Sequence, residues 1–508
     1  MSKLCDLFFD MASEYPQKTA IWCDNKTITY EELAALVCRY SNFLINAGVI
    51  YSDHIGIPMN NSIESAALIL AAANLGVALV PINPTLPPEA IKSLFAAAEV
   101  RHLIARRNFL EQKEEEIDLN LKGAQICLDG SWKNTLSFDS ISNMSDKRPV
   151  VKQVTGEETL IITMTSGSTG EPKPIDLTQK NKLERAMAHI RLYNLTKEDR
   201  ILAATPLYHS LAERLVLMPL IIGATSILLP RFTPALWLNC VKDQKVTFTI
   251  AVSAQLGQIA EMLTSPFVPE IDSLRCVVSS SSLLENHIKN ELIDKLNCDF
   301  HEMYGTSETS TVTSINFRET MGKKHSVGRP LREAKVKIIK EDHSIANPGE
   351  IGEITCKTTL MCNGYYNQPE IFQDALQDSY FKTGDLGYLD EAGYLYFAGR
   401  KKELIITGGI NVYPQDIEEC VKKLPEVKEC AAFAYPDNRL GEVVALAIVP
   451  KPDTQLSKRK IQIQCAKNLA DYQQPHMIVF LDQLPKNSLG KLEKYNLPEY
   501  VTKHGVFK

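Results

Sequence analysis

The residues best suited to chemistry form one loop, Thr165-Ser166-Gly167-Ser168-Thr169-Gly170-Glu171-Pro172-Lys173. It follows an apolar run at 160–164, as a loop follows a buried strand. Glycines let the backbone approach a phosphate, amide and hydroxyl groups donate hydrogen bonds to it, and a lysine neutralises its charge. The loop is not a Walker A motif, because Pro172 and Pro174 flank Lys173 and oppose a helix there. A surface linker rich in Ser, Thr and Gly is the alternative interpretation.

Further polar and glycine-rich motifs follow in order along the chain. They are Tyr304-Gly305-Thr306-Ser307-Glu308, Phe381-Lys382-Thr383-Gly384-Asp385, Gly399-Arg400-Lys401-Lys402-Glu403, Thr407-Gly408-Gly409-Ile410-Asn411-Val412-Tyr413-Pro414 and Asn487-Ser488-Leu489-Gly490-Lys491. Taken together with the loop, this ordered set resembles the adenylate-forming (AMP-binding) superfamily, in its acyl-CoA synthetase branch. Each motif alone has a structural explanation, such as a core aromatic for Tyr304 or an ordinary turn for Asp385.

The resemblance implies a two-step ligase that uses ATP, Mg²⁺ and CoA. In such enzymes a carboxylate attacks the α-phosphate of ATP, pyrophosphate leaves, and a thiol then attacks the acyl-adenylate. A carboxylate resists nucleophilic attack, so one of its oxygens must first become part of a good leaving group, AMP. Because two anions must meet, we expect charge neutralisation and alignment to dominate over proton transfer.

The resemblance also implies a set of nucleotide contacts. These are Thr165, Ser166, Gly167, Ser168, Thr169, Gly170 and Lys173 in a mobile phosphate loop, Tyr304 and Gly305 beside adenine, Thr306 at the α-phosphate, Ser281 near adenine or the acyl carboxylate, Asp385 on the ribose, and Arg400 on ribose or phosphate. Glu308 is expected to hold Mg²⁺, a hard cation suited to carboxylate and phosphate oxygens.

The remaining implied roles concern the acid, the thiol and the change of conformation between the two steps. Lys491 would bridge the carboxylate and the α-phosphate, and His209 would stand between the acyl pocket and the thiol tunnel. Lys402 falls at the hinge position, so that one small domain presents two faces in turn. The second face would carry Gly408 and Gly409, along which a pantetheine arm could run. For His209 a structural role, and for Lys402 a solvated basic run, are the alternatives.

Three departures from the family pattern concern the nucleotide motifs. Pro174 stands where glycine usually follows the loop lysine, which predicts a stiffer loop exit and slower closure. Gln179 stands where histidine is common, and residues 279–282, often Gly-rich in relatives, are all serine. An inactive adenylate-binding relative is therefore kept as an alternative.

Composition excludes several classes of protein. The 508 residues carry 55 basic and 61 acidic side chains, a net charge of −6, which gives no reason to expect nucleic acid as a partner. The 12 cysteines are scattered without a C-x-x-C pair, so we expect no zinc site and a reducing, cytoplasmic location. Apolar stretches at 65–82 and 215–230 are broken by glycine and proline, and we read each as a buried helix followed by a buried strand rather than a transmembrane segment.

Periodicity predicts an α/β fold. Helices and short apolar strands alternate to about residue 300, which is typical of parallel sheets covered by helices. Short alternating strands between 325 and 400 predict a small β-barrel-like unit, and a separate α/β unit follows. We therefore predict residues 1–400 as a large ATP- and acyl-binding domain with two doubly wound sheets, and residues 401–508 as a smaller mobile α+β domain.

The branch and the substrate rest on finer signals. The sequence of residues 407–414 resembles that of acyl-CoA synthetases more than that of peptide-synthetase adenylation domains, so CoA is the expected thiol. A ligase that loads a separate carrier protein is the alternative. Leu211, Leu256 and Leu283 predict an apolar acyl pocket and hence a fatty or other apolar acid, without separating a chain from a ring.

Overall fold

The computed structural model describes residues 3–113, 121–166, 172–265, 269–320, 322–486 and 492–504. The chain forms two compact units. The first comprises Met1–Lys324, Pro330–Lys335 and Lys357–Ser379, and the second comprises His325–Arg329, Val336–Cys356 and Tyr380–Lys508. Each unit is described by itself below.

The helices are α1 Leu4–Glu14, α2 Tyr30–Asn46, α3 Ile63–Leu75, α4 Pro88–Ala97, α5 Arg107–Lys113, α6 Gln179–Leu192, α7 Ser210–Leu220, α8 Pro234–Asp243, α9 Ser253–Leu263, α10 Asn286–Lys295, α11 Pro369–Asp374, α12 Pro414–Lys422, α13 Lys458–Asn468 and α14 Leu497–His504. Short 3₁₀ helices are Phe138–Asn143, Lys401–Glu403, Asp471–Gln473 and Lys494–Asn496.

The strands are β1 Thr19–Cys23, β2 Lys26–Thr29, β3 His54–Pro58, β4 Ala78–Ile82, β5 His102–Ala105, β6 Gln125–Cys127, β7 Leu136–Ser137, β8 Thr159–Ser166, β9 Pro172–Thr178, β10 Arg200–Ala203, β11 Thr225–Leu228, β12 Phe248–Val252, β13 Cys276–Ser280, β14 Asp299–Thr306, β15 Ser310–Asn316, β16 Arg329–Pro330, β17 Ala334–Ile339, β18 Gly352–Thr358, β19 Gly364–Tyr365, β20 Leu376–Gln377, β21 Tyr380–Leu389, β22 Leu395–Arg400, β23 Ile405–Thr407, β24 Ile410–Val412, β25 Val427–Asp437, β26 Gly441–Pro450 and β27 Met477–Phe480.

Two large sheets organise the first unit. One runs in the order β15-β14-β13-β12-β10-β11-β1-β2, and the other in the order β19-β9-β8-β4-β3-β5-β6-β7. Each has a parallel centre, and each ends in antiparallel pairing at the strands that carry the predicted nucleotide motifs, β14–β15 and β8–β9. Because parallel strands share one carboxyl edge, segments that follow β10, β13 and β14 meet at the same side of their sheet.

Local signals in the sequence explain several of these elements. The β1–β2 hairpin turns through Asp24 and Asn25, both at positive φ (49° and 62°), which Asx residues tolerate. Thr29 and Glu32 form the expected capping box of α2. The apolar stretch at 65–82 is a buried helix, a left-handed Gly76 and a buried strand, as predicted. In the described part of the chain, helices that combine the length and the apolarity needed to traverse a bilayer are absent.

The second unit contains two smaller sheets. In the first, the antiparallel strands β18, β21 and β22 lie in order beside β17, where the sequence predicts short alternating strands. The second has the order β24-β23-β26-β25, with β27 parallel to β26. Helices α12 and α13 bury Ile417, Val421 and Ile461 against one face of it.

The predicted fold class is confirmed: a large α/β domain with two doubly wound sheets, a small antiparallel β unit and a smaller α+β C-terminal domain. The grouping into units does not locate a hinge, so a boundary between residues 400 and 401 and the mobility of the last domain stay predictions.

Candidate active site

The tight hairpin between β14 and β15 carries the Tyr304–Glu308 motif. Gly305 lies at a register shift, where a Cβ atom would come within 1.7 Å of the carbonyl oxygen of Ser310, so only glycine fits. Thr306 and Thr309 close the turn, since the amide of each donates to the hydroxyl of the other at 3.1 and 3.2 Å. The sequence motif is thus a tight turn at the carboxyl end of β14, near one edge of its sheet.

Glu308 is held at both its side chain and its backbone. Its Oε1 accepts a 2.8 Å hydrogen bond from the hydroxyl of Tyr365. Its carbonyl oxygen accepts from the amide of Cys362 at 2.7 Å and from Nη2 of Arg185 at 2.8 Å. Burial and the neighbouring Glu308 carboxylate raise the pKa of Tyr365, which therefore stays a donor at neutral pH. These contacts fix the carboxylate in one place.

Arg185 is the buried arginine of α6 that supports this turn. Besides Glu308, its guanidinium donates to the carbonyl oxygens of Ser307 at 3.1 Å and Leu360 at 2.8 Å. Burial lowers its pKa to about 10, so it remains charged at neutral pH. Sequence analysis missed both Arg185 and Tyr365. A signal existed for the arginine: Lys182, Arg185 and His189 share one face of α6, where an apolar stripe is normal.

The predicted phosphate loop joins two antiparallel strands. It follows β8, as expected, and β9 leaves it as a strand rather than a helix, with Thr165 opposite Lys173. Lys173 Nζ lies 5.3 Å from the ring centre of Tyr365, the residue that binds Glu308. Gly167, Ser168, Thr169 and Gly170 lie outside the described residues, as do the side chains of Thr165 and Ser166. Phosphate binding by the loop stays a prediction.

Two of the departures from the family pattern have structural partners. The carbonyl of Pro174 accepts a 2.8 Å hydrogen bond from the amide of Tyr366, so strand pairing continues past the proline. Gln179 is buried at the start of α6, and its amide nitrogen donates to the carbonyl of Ala73 at 2.9 Å and lies 3.4 Å from Glu158. Gln179 therefore ties α6 to α3.

His209 is the N-cap residue of α7 and follows strand β10 by a short loop. Its Nε2 is buried and has no hydrogen-bond partner among the described residues. Burial lowers its pKa to about 4, so the imidazole is neutral at physiological pH. The Tyr208 ring lies 4.4 Å away, centre to centre. A neutral, half-buried ring suits the predicted gating position, which stays a prediction.

The serine run after β13 has mixed environments. Ser281 is exposed and adopts φ 78°, a left-handed conformation that favours glycine. Ser279 is fully buried, and its hydroxyl oxygen has no hydrogen-bond partner among the described residues. The nucleotide or acid contact predicted for Ser281 stays a prediction.

Asp385 and Arg400 face each other across two strands of the second unit. They are register partners in β21 and β22, and Arg400 Nε lies 3.4 Å from Asp385 Oδ1. Asp385 is 5% exposed, whereas Arg400 is half-buried. The pair fixes the carboxylate expected on the ribose. That it joins Tyr304 and Thr306 around one nucleotide stays a prediction.

The other residues assigned to the second unit lie at turns. Gly408 and Gly409 form the tip of the β23–β24 hairpin with φ of 57° and 82°. A Cβ at Gly409 would meet no atom within 4 Å, so this tip is open. Lys402 is exposed in the short helix Lys401–Glu403. Lys491 lies outside the described residues.

The carboxylate of Glu308 is a hard oxygen ligand of the kind that magnesium takes. Its Oε2 has no hydrogen bond within the part of the chain that the structure describes. The described residues contain no group of three His, Cys, Asp or Glu side chains that could hold a metal. Magnesium needs no such cage, because it is usually bound by one or two carboxylates together with substrate phosphates and water.

Comparisons with known proteins identify the family. Residues 8–366 match the model of the AMP-binding enzyme family, and residues 416–491 match the model of the AMP-binding enzyme C-terminal domain. The chain is 31% identical over 493 residues to an indoleacetate–CoA ligase of Aromatoleum aromaticum, covering 96% of each protein. It is 28% identical to a 2-succinylbenzoate–CoA ligase of Bacillus cereus, again covering 96% of each.

Solved structures agree with this match. An o-succinylbenzoate CoA synthetase from Bacillus subtilis, in complex with an acyl-adenylate intermediate, superposes with a TM-score of 0.86 at 26% identity over 98% of each chain. The same enzyme with ATP and magnesium ion gives a TM-score of 0.85 at 27% identity, over 97% of this chain and 98% of that one.

The fold and the motifs thus define an adenylate-forming enzyme, and the chain belongs to the AMP-binding enzyme family. Within that family it is a ligase of the acyl-CoA synthetase type, as the sequence predicts. The expected cofactors ATP, Mg²⁺ and CoA agree with the ATP and magnesium of a structural neighbour and with the names of the relatives.

Proposed function

We propose that the protein joins a carboxylic acid to CoA through an acyl-adenylate, with ATP consumed to AMP and pyrophosphate. The observation that supports this most strongly is the fixed carboxylate of Glu308 in a chain that CoA ligases match over nearly its whole length. One oxygen is engaged by Tyr365, and the other is directed to no protein partner in the described residues. Magnesium at this oxygen would neutralise phosphate charge as pyrophosphate leaves.

In the first step, the chain's own residues bring two anions together. We assign ATP phosphates to the loop Thr165–Lys173, with Thr306 at the α-phosphate. Tyr304 borders the adenine. Asp385, which is held by Arg400, accepts hydrogen bonds from the ribose hydroxyls. Lys491 places a positive charge between the acid carboxylate and the α-phosphate, where attack occurs. These roles all supply alignment and charge rather than proton transfer.

In the second step, CoA sulfur attacks the acyl carbon and AMP leaves. We assign the open turn at Gly408 and Gly409 to the pantetheine arm, with Lys402 as the hinge between the two conformations. His209 separates the acyl site from the thiol path as a neutral ring. A carrier protein in place of CoA is the alternative, and steady turnover with CoA alone would exclude the need for one.

The acid is proposed to have an apolar body, fatty or otherwise. Leu256 is fully buried in α9, directly after strand β12, which supports an apolar wall at the carboxyl edge of the first sheet. Leu283 is more exposed, at 36%, and supports this less. Relatives are named for indoleacetate, 2-succinylbenzoate and long-chain fatty acids, so chains and rings both belong in the test.

We also propose a cytoplasmic location. All twelve cysteines are buried as free thiols, which suits a reducing compartment.

The deciding experiment is acid-dependent exchange of labelled pyrophosphate into ATP, with Mg²⁺ and a panel of acids that includes those three. We expect exchange with at least one acid, and CoA-dependent release of AMP with the same acid. Exchange without any CoA-dependent product would favour the carrier-protein alternative. Absence of exchange with every acid would overturn the proposal in favour of a non-catalytic adenylate-binding relative.

A further inference from the structure

A cluster of charged side chains is buried between α6 and α7, beside the turn that carries Glu308. It comprises Lys182 and Arg185 from α6 with Glu213 and Arg214 from α7, which we call the α6–α7 charge cluster. Their exposed fractions are 3%, 1%, 0% and 6% respectively. Buried charges are normally paired, so the partner of each one is informative.

Three of the four charges have clear partners. Lys182 Nζ forms an ion pair with Glu213 Oε2. Arg185 donates to three backbone carbonyls and lies in the field of the Glu308 carboxylate. Arg214 differs, because within the described residues its guanidinium hydrogen-bonds only His189, at 3.1 Å from Nε2.

His189 does not balance the charge of Arg214. Burial, and after it the positive charge of Arg214, lowers the pKa of His189 well below its usual range, so the ring is neutral. Within the cluster three cations face one carboxylate. The guanidinium of Arg214 presents several N–H donors in one fixed plane. No acidic side chain of the described residues lies within ion-pair distance of this guanidinium. Such a planar set of donors matches the two oxygens of a carboxylate.

Arg214 shares its helix with His209 and is linked through His189 to the adenylate motif. It is five residues beyond His209, in the first turns of the same helix. Its partner His189 lies 2.8 Å from the hydroxyl of Thr311, and Thr311 is the register partner of Gly305 in the adenylate motif. A single side chain, that of His189, thus connects the guanidinium of Arg214 with the strand pair that carries Tyr304 and Thr306.

We propose that Arg214 binds a second anionic group on the acid, so that the substrate is a dicarboxylic acid with an apolar body. This inference rests on the proposed function, since it requires the acid to be adenylated at its other carboxylate. The triphosphate is the less suitable anion, because the loop Thr165–Lys173 and Thr306 already account for it. With a simple fatty acid, the carboxylate that acts on Arg214 would be that of Glu213, which is already paired with Lys182.

The test compares acids that share a carbon skeleton and differ by one carboxylate: hexanoate with adipate, decanoate with sebacate, and 2-methylphenylacetate with 2-carboxyphenylacetate. With the wild-type enzyme we expect kcat/KM for the preferred diacid to exceed that for its monoacid at least tenfold. In Arg214→Met that preference should vanish or reverse, through a rise in KM for the diacid of about 100-fold, as expected when one partner of a buried charge pair is removed.

Two further variants separate recognition from folding. Arg214→Lys keeps the charge and should recover part of the diacid preference, while Arg332→Met removes an arginine whose side chain is 70% exposed and should behave as wild type. Thermal unfolding with each acid gives a readout independent of turnover. The diacid should raise the Tm of wild type more than the monoacid does, and Arg214→Met should lose that difference.

The outcomes distinguish a failure of the proposed Arg214 site from a failure of the proposed function. Equal use of monoacid and diacid by the wild type, or an equal loss of both in a folded Arg214→Met, overturns the role of Arg214 and favours a fatty acid. Should no acid of either kind support pyrophosphate exchange, the proposed function fails instead, and a diacid-specific rise in Tm that depends on Arg214 would still support the anion site.

Discussion

The hydroxyl of Tyr365 donates a 2.8 Å hydrogen bond to Oε1 of Glu308. The same ring lies 5.3 Å from Nζ of Lys173, the lysine at the end of the predicted phosphate loop. One tyrosine therefore touches both the predicted magnesium ligand and the predicted phosphate-binding lysine, although the three residues are far apart in sequence. This makes Tyr365 a positioning residue for the proposed first step.

Tyr365→Phe should weaken the use of Mg²⁺ and ATP. A hydrogen bond to a charged group contributes about 1.5–3 kcal/mol, so we expect a 10- to 100-fold rise in the Mg²⁺ concentration for half-maximal pyrophosphate exchange. Tyr366→Phe is the matched control, because that hydroxyl donates to Glu99 instead, at 2.8 Å. Equal effects of the two substitutions would show that Tyr365 acts only through general stability.

Lys491→Ala should separate the two half-reactions. We expect loss of pyrophosphate exchange, because the charge between carboxylate and α-phosphate is removed, and retention of thioester formation from supplied acyl-adenylate. Lys486→Ala, which removes the partner of Glu429, serves as control. If both half-reactions of Lys491→Ala fall by the same factor, one face of the small domain serves both steps and the hinge role of Lys402 is wrong.

The stability of the first unit should depend on the buried ion pair between Lys182 and Glu213. Lys182→Met leaves the Glu213 carboxylate buried without its cation, which should lower the free energy of unfolding by about 3–5 kcal/mol. Lys182→Met combined with Glu213→Leu should be more stable than Lys182→Met alone. Urea unfolding measures both, and simple additivity of the two single substitutions would contradict direct coupling between these groups.

Buried histidines predict a loss of stability in mild acid. Burial lowers the pKa of His209 and of His301 to about 4. Between pH 6.5 and 4 the unfolded chain then binds more protons than the folded chain, so the free energy of unfolding falls as the pH falls. His301→Gln should reduce this dependence in urea titrations at pH 7.5 and 5, whereas His287→Gln, at a side chain 73% exposed, should leave it unchanged. The opposite slope would refute the assignment.

The sequence predicted the elements that local rules govern. The capping box at Thr29 and Glu32 and the turn at Asp24 and Asn25 involve residues a few positions apart, so their physics is contained in short segments. The motif at Tyr304–Glu308 was recognised as one of an ordered set of motifs that resembles the adenylate-forming superfamily. Gly305 belongs to this motif for a structural reason. The strand pairing brings the carbonyl oxygen of Ser310 so close that no side chain fits at position 305.

The side chains that support the motifs were not predicted, because they contact the motifs from distant segments of the chain. No local pattern relates Tyr365 to Glu308, Arg185 to the carbonyls of Ser307 and Leu360, or Arg214 to His189, because hydrogen bonds across elements depend on how sheets and helices pack. Residue type, periodicity and the order of the motifs predicted the class of fold and the resemblance to the family, both of which are confirmed. Which side chains hold those motifs, and which buried cation is left for a ligand, followed only from packing, where burial makes each missing partner costly.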